Sequence, residues 1–351
     1  MGIDIGYLLF LQNLRNATGG VFDEFFNAIS KVAVSTMELL PFLVFWGIST
    51  YWGYRFFAGR WVGEVVNGLV KLTVCAYRPW IRSPEVEPAG DSKVAATGYS
   101  FPSGHTMCAT VFYGTTAVWQ YKKRRWLAIV CGVMILLTGF SRNFLGVHTP
   151  QDVAVGFVET ALIVILVGKV MNWMREDEKR ADIMTVVAIV GGIIALIYIK
   201  VKPYPMDYVD GKLLVDPVAM MKDCFSGVGG LFGLAIGSYV ERHYVHYRIP
   251  YRSRDLTAAV GAGLILVGAW KEYISGATIV LLFGKNWGGL ISSFILIFFA
   301  IAIYPMIIMK VCGKQEEKTA QQRSKSGKRS GSGTKKKARA AGRHSSGVRA
   351  F

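Results

Sequence analysis

Three short stretches of the chain put polar and ionisable side chains where a membrane helix should avoid them, among them a helix start able to bind phosphate and a histidine followed by an acid. They are Lys71 with Arg78-Pro79, then Pro102-Ser103-Gly104-His105, then Ser141-Arg142 followed by His148 and Asp152. Each sits beside a long apolar run, where an ionisable group is costly unless paired or hydrated, and where such groups are functional candidates by default. His148 lies just ahead of Thr149-Pro150-Gln151-Asp152, which reads as a helix start with Thr149 as cap, Pro150 first and Asp152 third. The Asp152 carboxylate can then accept one imidazole N–H and leave the other nitrogen for attack, the logic of a nucleophile with an orienting acid. Ser103 likewise reads as the cap of a helix whose first N–H groups, opened by Gly104, can bind phosphate oxygens. Taken singly, each stretch also has a plain structural reading: Lys71 and Arg78 as snorkelling cations, Ser103 as an ordinary cap, Asp152 as a cap for its own helix.

These residues need a scaffold, and the composition says which kind. With 52% hydrophobic and 18% charged residues over 351, and a mean hydropathy of +0.36, the chain is too apolar for a typical soluble protein of its length. Nine stretches approach the length of a bilayer crossing: Val32 to Trp52, Val62 to Tyr77, Ser103 to Tyr121, Trp126 to Thr138, Val153 to Met171, Met184 to Ile199, Phe225 to Val240, Leu256 to Trp270 and Ile291 to Met309. The fold class expected is therefore all-α, a polytopic membrane bundle of about nine helices. Lys71 and Arg78, seven apart, are expected on one face of the second span.

Basic residues fall in every second connection: Arg55 and Arg60, Lys122 to Arg125, Arg175 with Lys179 and Arg180, then Arg242, Arg248, Arg252 and Arg254. By the positive-inside rule these are cytoplasmic, so the N-terminus, the segment from Arg78 to Pro102 and the acidic connection from Pro203 to Asp223 are extracytoplasmic. The three motif stretches all fall on that outer side of a multi-pass cell-membrane protein.

Domain organisation follows. Residues 1–25 form an interfacial segment, with Tyr7 to Arg15 as a helix in the outer interface and no signal-peptide pattern. Residues 26–200 are the catalytic core, and 201–312 the acidic loop with three additional spans. Residues 313–351 are a basic tail of disordered composition carrying twelve Lys and Arg against two Glu. Attraction to anionic lipid is the expected role of the tail, with no nucleic-acid partner. The five cysteines have no metal-ligand or disulfide spacing. Glu38 and Glu159, inside spans, are expected to pair or hydrogen-bond between helices.

The order and spacing of Lys71, Arg78-Pro79, Pro102-Ser103-Gly104-His105, Ser141-Arg142, His148 and Asp152 resemble the complete three-part signature of the type-2 phosphatidic acid phosphatase superfamily. The resemblance implies a metal-independent, cofactor-free phosphatase. His148 would be the nucleophile that becomes phosphohistidine, Asp152 its partner and His105 the acid and then base. Lys71, Arg78, Ser103, Gly104 and Arg142 would surround the phosphoryl oxygens. It implies a phosphorylated or pyrophosphorylated membrane lipid as substrate. The nine-span layout is also similar to that of glucose-6-phosphatases, which keeps a water-soluble sugar phosphate open as substrate, and a phosphotransferase would use the same residues. A lipid binder that retains the fold without turnover has no need of His148 with its acid partner.

Overall fold

Five long helices begin where the sequence supplies a side-chain acceptor for the first free N–H groups. We describe them from a computed structural model that covers residues 2–90, 92–96, 98–209, 211–250 and 254–312; the tail expected from 313, together with Asp210 and Arg252, lies outside these. Ser49 caps α4 (Thr50–Val74), Ser103 caps α7 (Gly104–Gln120), Thr149 caps α9 (Pro150–Met174), Asp177 caps α10 (Glu178–Val201) and Asp216 caps α11 (Pro217–Val240). Ahead of these lie α1 (Ile3–Ala17), α2 (Asp23–Lys31) and α3 (Leu40–Gly47), the last two continuous through wider and tighter turns over 32–39. Two single-turn helices, α5 (Pro79–Arg82) and α6 (Ser92–Ala95), fill the connection to α7, and α8 (Arg125–Phe144) precedes α9. After α11 come α12 (Arg254–Ala269) and α13 (Val280–Phe298), the latter broken at Gly284 with φ +75°. A two-stranded antiparallel hairpin, β1 (Tyr208–Val209) with β2 (Lys212–Leu213), sits in the acidic connection.

Among the described residues, six segments are long and apolar enough to cross a bilayer: Asp23–Gly47, Arg125–Phe144, Pro150–Met174, Glu178–Val201, Pro217–Val245 and Val280–Cys312. α10 presents Ile183, Val187, Val190, Ile194, Ile197 and Val201 on its outside, an apolar face suited to lipid. The protein is a multi-pass helical membrane protein. Three further helices fall short of the same measure: α4 has the length but carries Arg55, Arg60, Glu64 and Lys71, and α7 and α12 have 17 and 16 residues.

Three sequence expectations are corrected. The first span does not run Val32 to Trp52, because Ser49, with its extended backbone and a side chain accepting the Trp52 N–H, starts a new helix there. Arg55 and Arg60 consequently lie within α4 rather than in a connection. Arg55 is buried and stacked over Trp52 at 4.7 Å, and Arg60 is ion-paired with Glu38 and Glu64, so the helix accommodates charges that looked like a loop. Lys71 and Arg78 do not share a helical face, since Cys75 turns left-handed at φ +53° and ends α4 before Arg78. Arg78 instead leads into α5 from an extended backbone.

The C-terminal helices are packed into the bundle. A Cβ at Gly227 of α11 would stand 2.9 Å from Glu64 Cγ on α4, so only glycine permits this approach. Phe42, Phe45, Trp46 and Phe57 share a core with Val260, Ile301 and Tyr304. Glu38 also meets Lys271, so both expected pairings exist: Glu38 with two cations, and Glu159 with Asn67 at 2.7 Å.

Candidate active site

The site assembles where the end of α4, the start of α7, the end of α8 and the start of α9 converge. At its centre is His148, buried in the short link between α8 and α9. Its backbone is pinned on both sides: the Arg142 carbonyl accepts its N–H at 3.3 Å, and the Asn143 amide donates to its carbonyl at 2.9 Å.

His148 Nδ1 faces Asp152 Oδ2 at 3.3 Å, and Nε2 faces Arg78 Nη1 at 3.0 Å. A proton on Nδ1 satisfies the carboxylate, which leaves the Nε2 lone pair directed at the guanidinium edge. Burial first, then the Arg78 charge, hold the imidazole well below its ordinary pKa, so the ring is neutral. Asp152 Oδ2 also accepts from Ser100 Oγ at 2.5 Å and from the Thr149 N–H at 2.8 Å, completing the reciprocal cap of α9. The carboxylate thus caps its helix and orients His148 at once.

The cations surround this pair. Arg78 is buried, donating from Nη1 to the Val147 carbonyl at 3.0 Å and from Nε to the Gly98 carbonyl at 3.3 Å; burial lowers its pKa to about 10 while leaving it charged at neutral pH. Arg142 is held by Ser30 Oγ at 2.6 Å, and its buried Nε–H has no acceptor among the described residues. Lys71, in the last turn of α4, brings its Nζ to within 4.0 Å of where a Cβ on Gly104 would stand, with Asn67 Oδ1 at 3.9 Å. His105, half-buried in the first turn of α7, lies within electrostatic reach of Arg142, His148, Arg78 and Lys71.

Ser103 ties the two helix starts together. Its Oγ accepts from Thr106 N–H and Oγ1, and its own N–H donates to the Asp152 carbonyl at 3.0 Å. The eight expected residues, Lys71, Arg78, Ser103, Gly104, His105, Arg142, His148 and Asp152, therefore gather at one end of the bundle. Sequence reasoning missed Ser100, Asn143, Asn67 and Ser30. Ser100 stood three residues before the Ser103 cap, and nothing in its spacing marked it.

The N-terminal helix braces the loop beside the site. Arg15 donates to the Glu87 carbonyl at 2.6 Å and to the Phe144 carbonyl at 3.4 Å, and Gln12 exchanges hydrogen bonds with the backbone of Glu85 and Glu87. Among the described residues no cluster of three His, Cys, Asp or Glu is placed to hold a metal ion.

A buried histidine backed by a carboxylate, with three cations and a capped helix start around it, thus stands at one end of a helical membrane bundle. The chain belongs to the PAP2 superfamily, whose profile matches residues 38–176. It is similar to the phosphatidylglycerophosphatase B of Bacillus subtilis (strain 168), with 32% identity over 155 residues that cover 41% of this chain and 73% of the relative. No solved structure matches.

Proposed function

We propose that this protein is a phosphatase of a membrane lipid, cleaving a phosphomonoester or pyrophosphate through a phosphohistidine at His148. The observation that carries the reading is the His148 ring held between Asp152 and Arg78, with a neutral Nε2 among cations. Nε2 attacks phosphorus, and the P–O bond to the lipid alcohol or phosphate breaks as His105 protonates the leaving oxygen. Water then attacks the phosphorus, its proton passes to His105, and the P–N bond breaks to release inorganic phosphate. Arg78, Arg142, Lys71 and the α7 N-terminus, opened by Ser103 and Gly104, stabilise charge on the non-bridging oxygens, the main requirement of phosphoryl transfer. Asp152 stabilises the imidazolium character that develops on Nδ1.

A lipid is favoured over a soluble phosphate by the similarity to phosphatidylglycerophosphatase B and by a site at the membrane end of the helices. We further propose nine crossings, in which α4, α7 and α12 join the six apolar spans, with the site and N-terminus extracytoplasmic and the C-terminus cytoplasmic. The domain divisions at 25, 200 and 312 accompany that topology.

The test is metal-free phosphate release by purified protein in detergent, comparing wild type with His148→Ala. The panel is phosphatidic acid, phosphatidylglycerol phosphate, undecaprenyl pyrophosphate and glucose 6-phosphate. His148-dependent release from one of the lipids is the expected result; release from glucose 6-phosphate alone selects the sugar phosphatase, and none from any substrate points to transfer or binding.

A further inference from the structure

At the end of the bundle opposite His148, the C-terminus of α9, the start of α10 and the turn following α11 line an open surface cleft of about 410 Å³. Helix α9 alone separates it from the active site by roughly 37 Å, at 1.5 Å per residue. Three guanidinium groups, Arg175, Arg242 and Arg248, line it with two carboxylates, Glu178 and Glu241.

Glu241 is engaged by the protein, whereas two of the three cations, Arg175 and Arg248, have no carboxylate partner among the described residues. Glu241 accepts from the Tyr54 hydroxyl at 2.9 Å and from the Tyr247 N–H at 2.8 Å, and Glu178 stands 3.8 Å from His243 Nδ1. Among the described residues Arg175 and Arg248 enter no ion pair. Arg242 binds Asp182 through Nη2 at 3.0 Å and Ser238 through Nη1 at 3.1 Å, yet its buried Nε–H has no acceptor among the described residues. Arg175 is stacked over the Tyr51 ring at 4.9 Å, and the Tyr51 hydroxyl is fixed by Asn172 at 2.6 Å. A guanidinium held by its face keeps its N–H edge available for an oxyanion.

The surroundings indicate where the anion comes from. Tyr51, Trp173 and Tyr244 lie on the helix ends at this side of the bundle, and Trp173 and Tyr244 are 42% and 73% exposed, the pattern of an aromatic belt at headgroup level. Arginine edges at that depth match a phosphate attached to a lipid. We propose that this cleft binds the phosphate of an anionic membrane lipid in the leaflet opposite the active site.

The proposal stands apart from the chemistry assigned to His148 and is tested with a lipid that has no phosphomonoester to cleave. The full-length protein in detergent is titrated by native mass spectrometry with phosphatidylglycerol, phosphatidylcholine and inorganic phosphate. Wild type is expected to hold phosphatidylglycerol at least about tenfold more tightly than phosphatidylcholine, and Arg175→Gln with Arg248→Gln to lose most of that preference. The pair Arg175→Lys with Arg248→Lys, which keeps both charges, retains part of it and reports that the fold is intact. Unaltered phosphatidylglycerol affinity in the glutamine variant overturns the site. Displacement of the lipid by millimolar inorganic phosphate, with binding of that phosphate lost in the glutamine variant, overturns the lipid assignment and leaves a soluble phosphate as the ligand.

Discussion

The Ser103 N–H donates to the backbone carbonyl of Asp152 at 3.0 Å, so the helix start that carries His105 is bonded directly to the helix start that carries the partner of His148. The spacing of the helix starts beside His105 and His148 is thereby set by backbone rather than by flexible side chains. Gly156 makes the approach possible: a Cβ there would stand 2.9 Å from the Ser103 carbonyl oxygen.

Substituting Gly156→Ala therefore forces α9 away from α7. Overpacking of this kind costs about 1–3 kcal/mol, and we expect a lower melting temperature together with a loss in kcat larger than any rise in KM. Equal kcat with the lower melting temperature would detach the helix contact from catalysis.

Asp152→Asn is expected to lower kcat by roughly 10³–10⁴, by analogy with loss of the carboxylate from other His–acid pairs, while KM shifts little because the carboxylate acts mainly as charge develops. Steady-state kinetics decide this, and undiminished turnover removes Asp152 from the mechanism.

Ser100→Ala deletes a hydrogen bond to Asp152 Oδ2 but leaves those from Thr149 and His148. A loss of about tenfold in kcat, or ~1.4 kcal/mol, is expected, with Ser100→Thr recovering much of it. A Thr variant as impaired as the Ala variant would mean that the hydroxyl has no orienting role.

The pH profile follows from His148. A nucleophile at the ordinary pKa, about 6.5, would give an acid limb in kcat/KM centred there. Burial and Arg78 both favour the neutral ring, so the limb is expected well below that value. In Arg78→Gln the charge is gone while burial remains, and the limb moves back toward higher pH. A wild-type limb at 6.5 or above would contradict the neutral, buried imidazole.

All eight chemically chosen residues converge because helix caps and charged residues beside apolar runs are local signals that survive folding. What the sequence hid was relational. Ser100 and Ser30 are ordinary serines until the fold sets one against Asp152 and the other against Arg142. Arg55 and Arg60 read as a loop because charge alone was visible, whereas Trp52, Glu38 and Glu64, which accommodate them, arrive from packing. The end of α4 at Cys75 was equally hidden, since a left-handed cysteine has no composition signal, and it is this turn that sends Arg78 to His148.

The most direct measurement is rapid quenching of turnover with a ³²P-labelled lipid phosphate, followed by peptide mapping of the labelled protein. We expect an acid-labile, base-stable label on the peptide containing His148 in wild type and none in His148→Ala; label on another residue, or turnover in the His148→Ala protein, would contradict the account.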